Sequence, residues 1–439
     1  MIRKSLFLIA LLVSFITTLS AQDDYPRREA VEFRGRGGIP NVLKKIESGA
    51  GKEIRVGYLG GSITAAPGWR VKSLELFQRK YPDLKWTEIN AAIGGTGSDL
   101  GVFRFGQDVL THRPDLLFVE FAVNDGGARP QQIHQAMEGI VRQAWKVDPA
   151  TDIIFVYTIS EPFLADLQTG IFSRAASAME EVADHYGIPS IHLGMEVAKQ
   201  AKDGTLVFKG EQPAKGNDAA PPAALPFSTD GVHPLVETGH VLYTEAIARS
   251  WDELVKIAPD SAAPARLSGA PLRPDHWADA KLVPLSESMV SGEWTRLDGD
   301  EKGGEVAKRF SRLMPVIWRA SAPGAALTFR FKGSVMGFYD LVGPDGGQLK
   351  VKLDGGEEKI VPRFDAYCTY HRLSKMQVGS ELDASVIHSV TATLDAAAPD
   401  KRTILFEKNR PDMEKDPDKY APNQWYVGSI MLIGEPVVE

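Results

Sequence analysis

Five apolar runs constrain this chain most: Ile54–Leu59, Trp86–Asn90, Leu116–Phe121, Ile153–Tyr157 and Ser190–Leu193. Segments with helical spacing lie between them, near Trp69–Lys80, Gly101–Thr111, Pro130–Lys146 and Ile171–Tyr186, and a further one covers Leu235–Ile257. A strand that is apolar along its length has to be covered on both faces. Helices between such strands return the chain so that the strands run parallel. The predicted fold class is therefore α/β, a three-layer α/β/α domain of flavodoxin-like kind built on a parallel sheet. In sheets of this kind, ligand sites form just beyond the carboxyl ends of the strands. Ahead of the first strand, Asp23–Arg36 is polar and reads as an extended lead-in. Ile39–Ile46 has helical spacing and is stopped by Gly49 and Gly51.

The 439 residues exceed what one hydrophobic core usually supports, so two domains are expected. From Ala258 to Pro284 the sequence turns Pro- and Ala-rich, as linkers do. Beyond it, Ala326–Phe331, Val335–Tyr339, Gln348–Leu353, Ser389–Leu394 and Thr403–Phe406 show alternation or short apolar runs, parted by turns such as Asp345–Gly347 and Asp354–Gly356. That texture predicts a C-terminal antiparallel β-sandwich of jelly-roll type. The expected organisation is a signal peptide over 1–21, the α/β domain over 22–258, a linker over 259–284 and the sandwich over 285–439.

The leader rests on Arg3 and Lys4, the apolar run Ser5–Leu19, and Ser20 and Ala21 before Gln22. It predicts an exported protein, periplasmic or secreted, cleaved near Ala21. No other stretch approaches the roughly 20 apolar residues of a spanning helix, so no stable membrane span is expected in the mature chain. Removing Arg3 and Lys4 takes the formal charge from −7 to −9, a mild acidity that argues against nucleic acid as a partner. Cys368 is the only cysteine, so no internal disulfide can form; its strand-like context suggests a small buried hydrophobe. No Cys/His metal spacing occurs, and neither a metal nor a cofactor is expected.

The polar blocks that follow the apolar runs carry the chemistry. Ser62 follows the first run in Gly60-Gly61-Ser62-Ile63-Thr64. Gly94, Gly95 and Gly97 follow the second, and Asn124 and Asp125 follow the third in Phe121–Gly127. Far downstream, Asp230 and His233 share one short stretch, Asp230-Gly231-Val232-His233-Pro234. A serine hydroxyl is a poor nucleophile until an imidazole takes its proton and a carboxylate holds that imidazole in the right tautomer. Glycine lets a backbone N–H approach a ligand closely, and an asparagine amide donates without carrying charge. Together with the N–H of the serine, donors from the second and third blocks would make an oxyanion hole.

Ser, Gly, Asn and Asp-x-x-His in this order, each after its own strand, resemble the SGNH (GDSL-like) hydrolase family over roughly residues 52–255. The resemblance implies that Ser62 and His233 do the chemistry and that Asp230 orients His233. It also implies that the Ser62 N–H, the Gly95 N–H and the Asn124 side chain bind the oxyanion. Two positions depart from the family pattern. Gly61 precedes the serine where many members have aspartate, and Ala122 stands two before the asparagine where many have glycine. Neither donates to the chemistry, so altered packing is expected rather than lost activity. The chain is also similar to exported carbohydrate esterases with an appended β-domain. That likeness implies a serine esterase acting on O-acetyl groups of a polysaccharide or oligosaccharide. A lipase or lysophospholipase, a glycan acyltransferase, and a glycan-binding protein with a dead hydrolase domain are the alternatives.

Other residues read less sharply. Asp125 suits a structural role through local backbone hydrogen bonds, and Gly94 and Gly97 serve the turn. Trp69 and Arg104 could line a sugar subsite, although a tryptophan opening a helix is more often core. Trp294, Trp318 and Trp425 could give the sandwich a sugar-stacking face or simply fill it. His112, His134, His185 and His192 read as surface or core residues. Lys202–Thr229 is long and rich in Pro, Ala and Gly, with little regular pattern. It reads as a flap beside the cleft or as an unstructured surface excursion.

Overall fold

The computed structural model describes residues 25–49, 51–212, 224–257, 266–299 and 304–437; the expected leader at 1–21 lies outside the described residues. The first sheet comprises β1 (Phe33–Arg34), β2 (Glu53–Gly60), β3 (Lys85–Asn90), β4 (Leu116–Glu120), β5 (Asp152–Tyr157) and β6 (Ser190–His192), in the order β1-β6-β5-β4-β2-β3. β2 to β6 pair in parallel, and their order is the flavodoxin-like one. β4 and β5 are buried at every position, their apolar residues and also Glu120 at the end of β4 and Asp152 at the start of β5. The sheet is not wholly parallel, because β1 pairs antiparallel with β6. Part of the polar lead-in is thus a strand, and it covers an edge that would otherwise expose unpaired backbone groups.

The helices are α1 (Pro40–Glu47), α2 (Ser62–Ala65), α3 (Trp69–Lys80), α4 (Ser98–Asp108), α5 (Pro130–Val147), α6 (Leu164–Gln168), α7 (Arg174–Tyr186), α8 (Met195–Asp203) and α9 (Gly239–Leu254). α5 packs against both α4 and α7 on one face of the sheet, while α3 packs against α9 on the other. Local signals set the ends. Pro130 opens α5, and the Ser173 hydroxyl accepts the Ala176 N–H at 3.2 Å to cap α7.

The stretch after α8 differs from expectation. β7 (Leu206–Lys209) and β8 (Leu225–Ser228) form a small parallel pair. Leu206 and Phe208 are buried, and Phe208 packs on Phe227, which packs on Tyr243 of α9. The ends of this excursion are therefore pinned to the core. Residues 213–223 lie outside the described residues.

The second sheet is antiparallel and has ten strands: β9 (Ala280–Pro284), β10 (Val290–Ser291), β11 (Trp294–Asp298), β12 (Val316–Ala320), β13 (Ala326–Val342), β14 (Gln348–Leu353), β15 (Lys359–Pro362), β16 (Arg372–Gly379), β17 (His388–Leu394) and β18 (Trp425–Pro436). Two expected strands, Ala326–Phe331 and Val335–Tyr339, are one. The first half of β13 pairs with β17 and the second half with β16. A strand that changes partners midway lets the sheet fold over its own core of Phe329, Phe338, Trp425 and their neighbours. Thr403–Phe406 is not a strand. A short helix, Lys401–Ile404, replaces it, begun by the Asp400 carboxyl accepting from the Thr403 N–H at 3.1 Å and hydroxyl at 2.7 Å. Cys368 is buried as expected, but in a turn between β15 and β16 instead of a strand.

The described part of the expected linker, residues 266–284, is more ordered than its composition suggests. Arg266 donates to Pro149 O at 2.8 Å and pairs with Asp152 at 2.6 Å. The Leu272 and Arg273 N–H groups donate to the Glu138 carboxylate at 2.7 and 2.9 Å, and Ala280–Pro284 is β9 itself. This segment is a strap along α5. The hydrophobic core runs on without a break from the first sheet to Phe310, Met314, Tyr339 and Met431.

Candidate active site

The switch point of the first sheet lies where β3 and β4 flank β2. β2 ends at Gly60, and its continuation turns at once into α2, whose first residue is Ser62. A first-turn N–H has no partner within its helix, so the Ser62 N–H is left for a ligand. The half-buried Ser62 Oγ lies 2.8 Å from His233 Nε2, and His233 Nδ1 lies 2.7 Å from Asp230 Oδ2. With Nδ1–H donated to Asp230, Nε2 is the acceptor for the serine hydroxyl.

The turn that carries Asp230 and His233 holds itself in shape. Asp230 Oδ1 accepts the N–H groups of Val232 at 2.9 Å and His233 at 2.8 Å, and Ser228 Oγ donates to it at 3.0 Å. Gly231 has φ +81° and its carbonyl accepts the Glu161 N–H at 2.8 Å, a left-handed conformation that favours glycine. Burial pushes the Asp230 carboxyl up. The His233 side chain, then the His233 and Val232 N–H groups, outweigh it and hold the acid well below the usual carboxylate range. About half of each side chain is exposed, 51% for His233 and 52% for Asp230, so the pair opens to solvent where a substrate would arrive. α9 begins at Gly239, later than expected, so Pro234 does not open it; Pro234 instead bridges to Ser228.

Gly95 follows β3 with φ +74°. Asn124 follows β4, and its amide lies so close to Gly61 that a Cβ there would sit 1.9 Å from Asn124 Oδ1. This gives the departure at Gly61 a physical reason: the amide occupies the place a side chain would need. Asp125 is buried and accepts the Ser98 N–H at 3.0 Å, which ties the Asn124 loop to the start of α4. Burial raises its carboxyl to about 7 against the hydrogen bonds from Ser98, and its Oδ2 has no hydrogen-bond partner among the described residues.

Two expectations for a sugar subsite are corrected. Trp69 is 0% exposed and packs edge-on against Tyr58 and Phe118 at 5.5 and 6.0 Å. Arg104 is also 0% exposed and donates to Ala91 O at 2.5 Å and to Asp108 at 2.8 Å. Neither reaches solvent. The tryptophans of the second sheet fill it as well: Trp425 and Trp318 are buried, and Trp294 packs edge-on against Trp425 at 5.6 Å. Trp425 Nε1 donates to Asp340, which pairs twice with Arg363 at 2.6 and 2.7 Å.

Sequence reading missed two polar groups. Glu120 closes β4, fully buried, with Thr64 and Thr158 donating to its carboxyl at 2.8 and 2.7 Å. Its signal was a lone acid inside an apolar run. His240 accepts the Trp69 N–H at 3.0 Å and fills the space over Gly68, joining α9 to the loop after Ser62; burial lowers it to about 4. A cleft of about 530 Å³ opens between the two sheets, lined among others by Arg129, Gln132, Asp275, His276, Gln377 and Glu381. Near it, Lys375 of β16 pairs with Asp99 at the start of α4.

A flavodoxin-like sheet with a serine, an imidazole and an acid hydrogen-bonded in series at its switch point defines a carboxylic ester hydrolase of the SGNH type. Residues 58–237 match the sequence model of the GDSL-like lipase/acylhydrolase family. Among solved structures, the chain is similar to a two-domain esterase active on acetylated mannans, co-crystallised with mannopentaose. The identity is 19% and the TM-score 0.68, over 94% of this chain and 100% of the other. A second structure of a two-domain esterase active on acetylated mannans gives 19% identity and a TM-score of 0.68, over 92% of this chain and 98% of that one. The likeness takes in both sheets. No curated protein matches the chain.

Proposed function

We propose that the protein is an exported serine esterase that removes O-acetyl groups from a polysaccharide or oligosaccharide. In this reading Ser62 attacks the acetyl carbonyl while its proton passes to His233 Nε2, and Asp230 holds the imidazolium. The Ser62 and Gly95 N–H groups and the Asn124 amide face the oxyanion. The C–O bond to the sugar then breaks, and the sugar oxygen leaves with the proton from His233. Water attacks the acyl-enzyme, gives its proton to His233, and releases acetate as Ser62 recovers its hydrogen. The 2.8 Å contact between Ser62 and His233 carries this reading. For the substrate class, support comes from the two-domain likeness to an esterase active on acetylated mannans. We assign residues 22–258 to the catalytic domain and 285–439 to an accessory domain, with the strap between them.

The test is acetate release from acetylated mannan, xylan and pectin, with Ser62→Ala alongside. Acetate is expected from at least one polymer, and Ser62→Ala should lose at least roughly a thousandfold in rate. Cleavage of long-chain esters without acetate release would replace this reading by a lipase. Full acetate release by Ser62→Ala would end it.

A further inference from the structure

Glu120 is a buried carboxyl held by neutral donors. Thr64 Oγ donates to Oε2 at 2.8 Å and Thr158 Oγ to Oε1 at 2.7 Å, and the Gly61 N–H faces the same carboxyl closely enough to lower it. None of these partners carries charge, so the fold bears the desolvation of an acid for the sake of hydrogen bonds alone. The placement of the donors is informative. Gly61 is the residue before Ser62 and Thr64 is two residues after it, so the two contacts bracket the peptide whose N–H belongs to Ser62. Gly61 has φ −91° and ψ −153° and no side chain to restrict it. Free glycine samples many conformations, and this one has the Asn124 amide packed against its Cα and the Glu120 carboxyl facing its N–H. β4 thus delivers two groups to one turn, Glu120 from its last residue and Asn124 from the loop beyond.

We propose that Glu120 is a positioning residue of the esterase site, fixing the direction of the Ser62 N–H and hydroxyl through Gly61 and Thr64. The proposal rests on the reading of Ser62 as nucleophile. A small misplacement of a reacting group costs about 100-fold in rate, and loss of one oxyanion donor costs about 100- to 1,000-fold. Glu120→Ala is therefore expected to lower kcat on p-nitrophenyl acetate by roughly 100-fold or more, with KM within about threefold. Glu120→Gln keeps one acceptor oxygen and should fall between Ala and wild type. Thr64→Val, which leaves the acid and its bond from Thr158 in place, should lose roughly tenfold.

The rates are to be counted per active site titrated with a fluorophosphonate, so that misfolded enzyme drops out. A merely structural role would leave kcat per titrated site at the wild-type value while lowering the titrated fraction. That result, for Glu120→Gln and Thr64→Val alike, would overturn the proposal. Should Glu120→Ala not fold, the same two variants decide. Ser62→Ala, counted per mole of folded protein because it leaves no serine to titrate, separates the two claims. If it keeps wild-type activity the nucleophile reading fails, and if it is inactive while the Glu120 and Thr64 variants turn over normally, only the positioning role fails.

Discussion

Asp125 shows how one buried group ties the site to pH. Burial raises its carboxyl to about 7, above the roughly 3.9 of an unfolded aspartate. The folded chain therefore binds a proton that the unfolded chain has released between those values. The stability from this group is full below the unfolded value and is lost as pH rises through about 7. Asp125→Asn cannot ionise and keeps an acceptor for the Ser98 N–H. Its Tm relative to wild type is expected to climb as pH goes from about 5 to about 8; a difference flat across that range would contradict the assignment. At this scale, the residues that meet in space were legible where they stand in short glycine-rich blocks after apolar runs: Ser62, with Gly94 beside it, and Asn124 against Gly61. Asp230 and His233 were legible because their spacing lets one turn hold both. Glu120 and His240 were not, since a buried polar group looks in sequence like an interruption of the core. Trp69 and Arg104 misled for a related reason: both are residue types that serve binding sites and cores alike, and only burial separates the two.

At the scale of elements, the periodic segments read well and the short ones did not. α3 runs over Trp69–Lys80 as its spacing requires, and β2 to β6 fall on the five apolar runs. β7 and β8 hid in a Pro- and Ala-rich stretch because four residues give too little alternation to register. Thr403–Phe406 has strand composition, yet Asp400 caps a helical turn there, and the cap prevails over a weak propensity. Capping also supports α7. Ser173→Ala removes the acceptor for the Ala176 N–H and is expected to cost about 1 kcal/mol in denaturant unfolding with the slope unchanged. A cost below about 0.3 kcal/mol would mean that water replaces the cap.

The whole molecule is joined more firmly than its composition suggests. Residues 272–277 of the stretch that reads as a tether lie along α5. Gln107 donates to Leu313 O at 2.9 Å and Arg312 to Asn90 O at 2.7 Å, so side chains lock the second sheet to α4 and to the end of β3. With the apolar core continuous across this junction, heating is expected to give one calorimetric transition, its van't Hoff and calorimetric enthalpies equal. Two resolved peaks would show that the halves melt separately.

β18 pairs with β9, β12 and β13. During synthesis, the edges of β9, β12 and β13 that face β18 therefore stay unpaired until residues 425–436 emerge to zip them together. The second sheet closes late, around a keystone, and holding the chain unfolded until translation has passed that point would spare those edges from meeting the edges of a neighbouring copy.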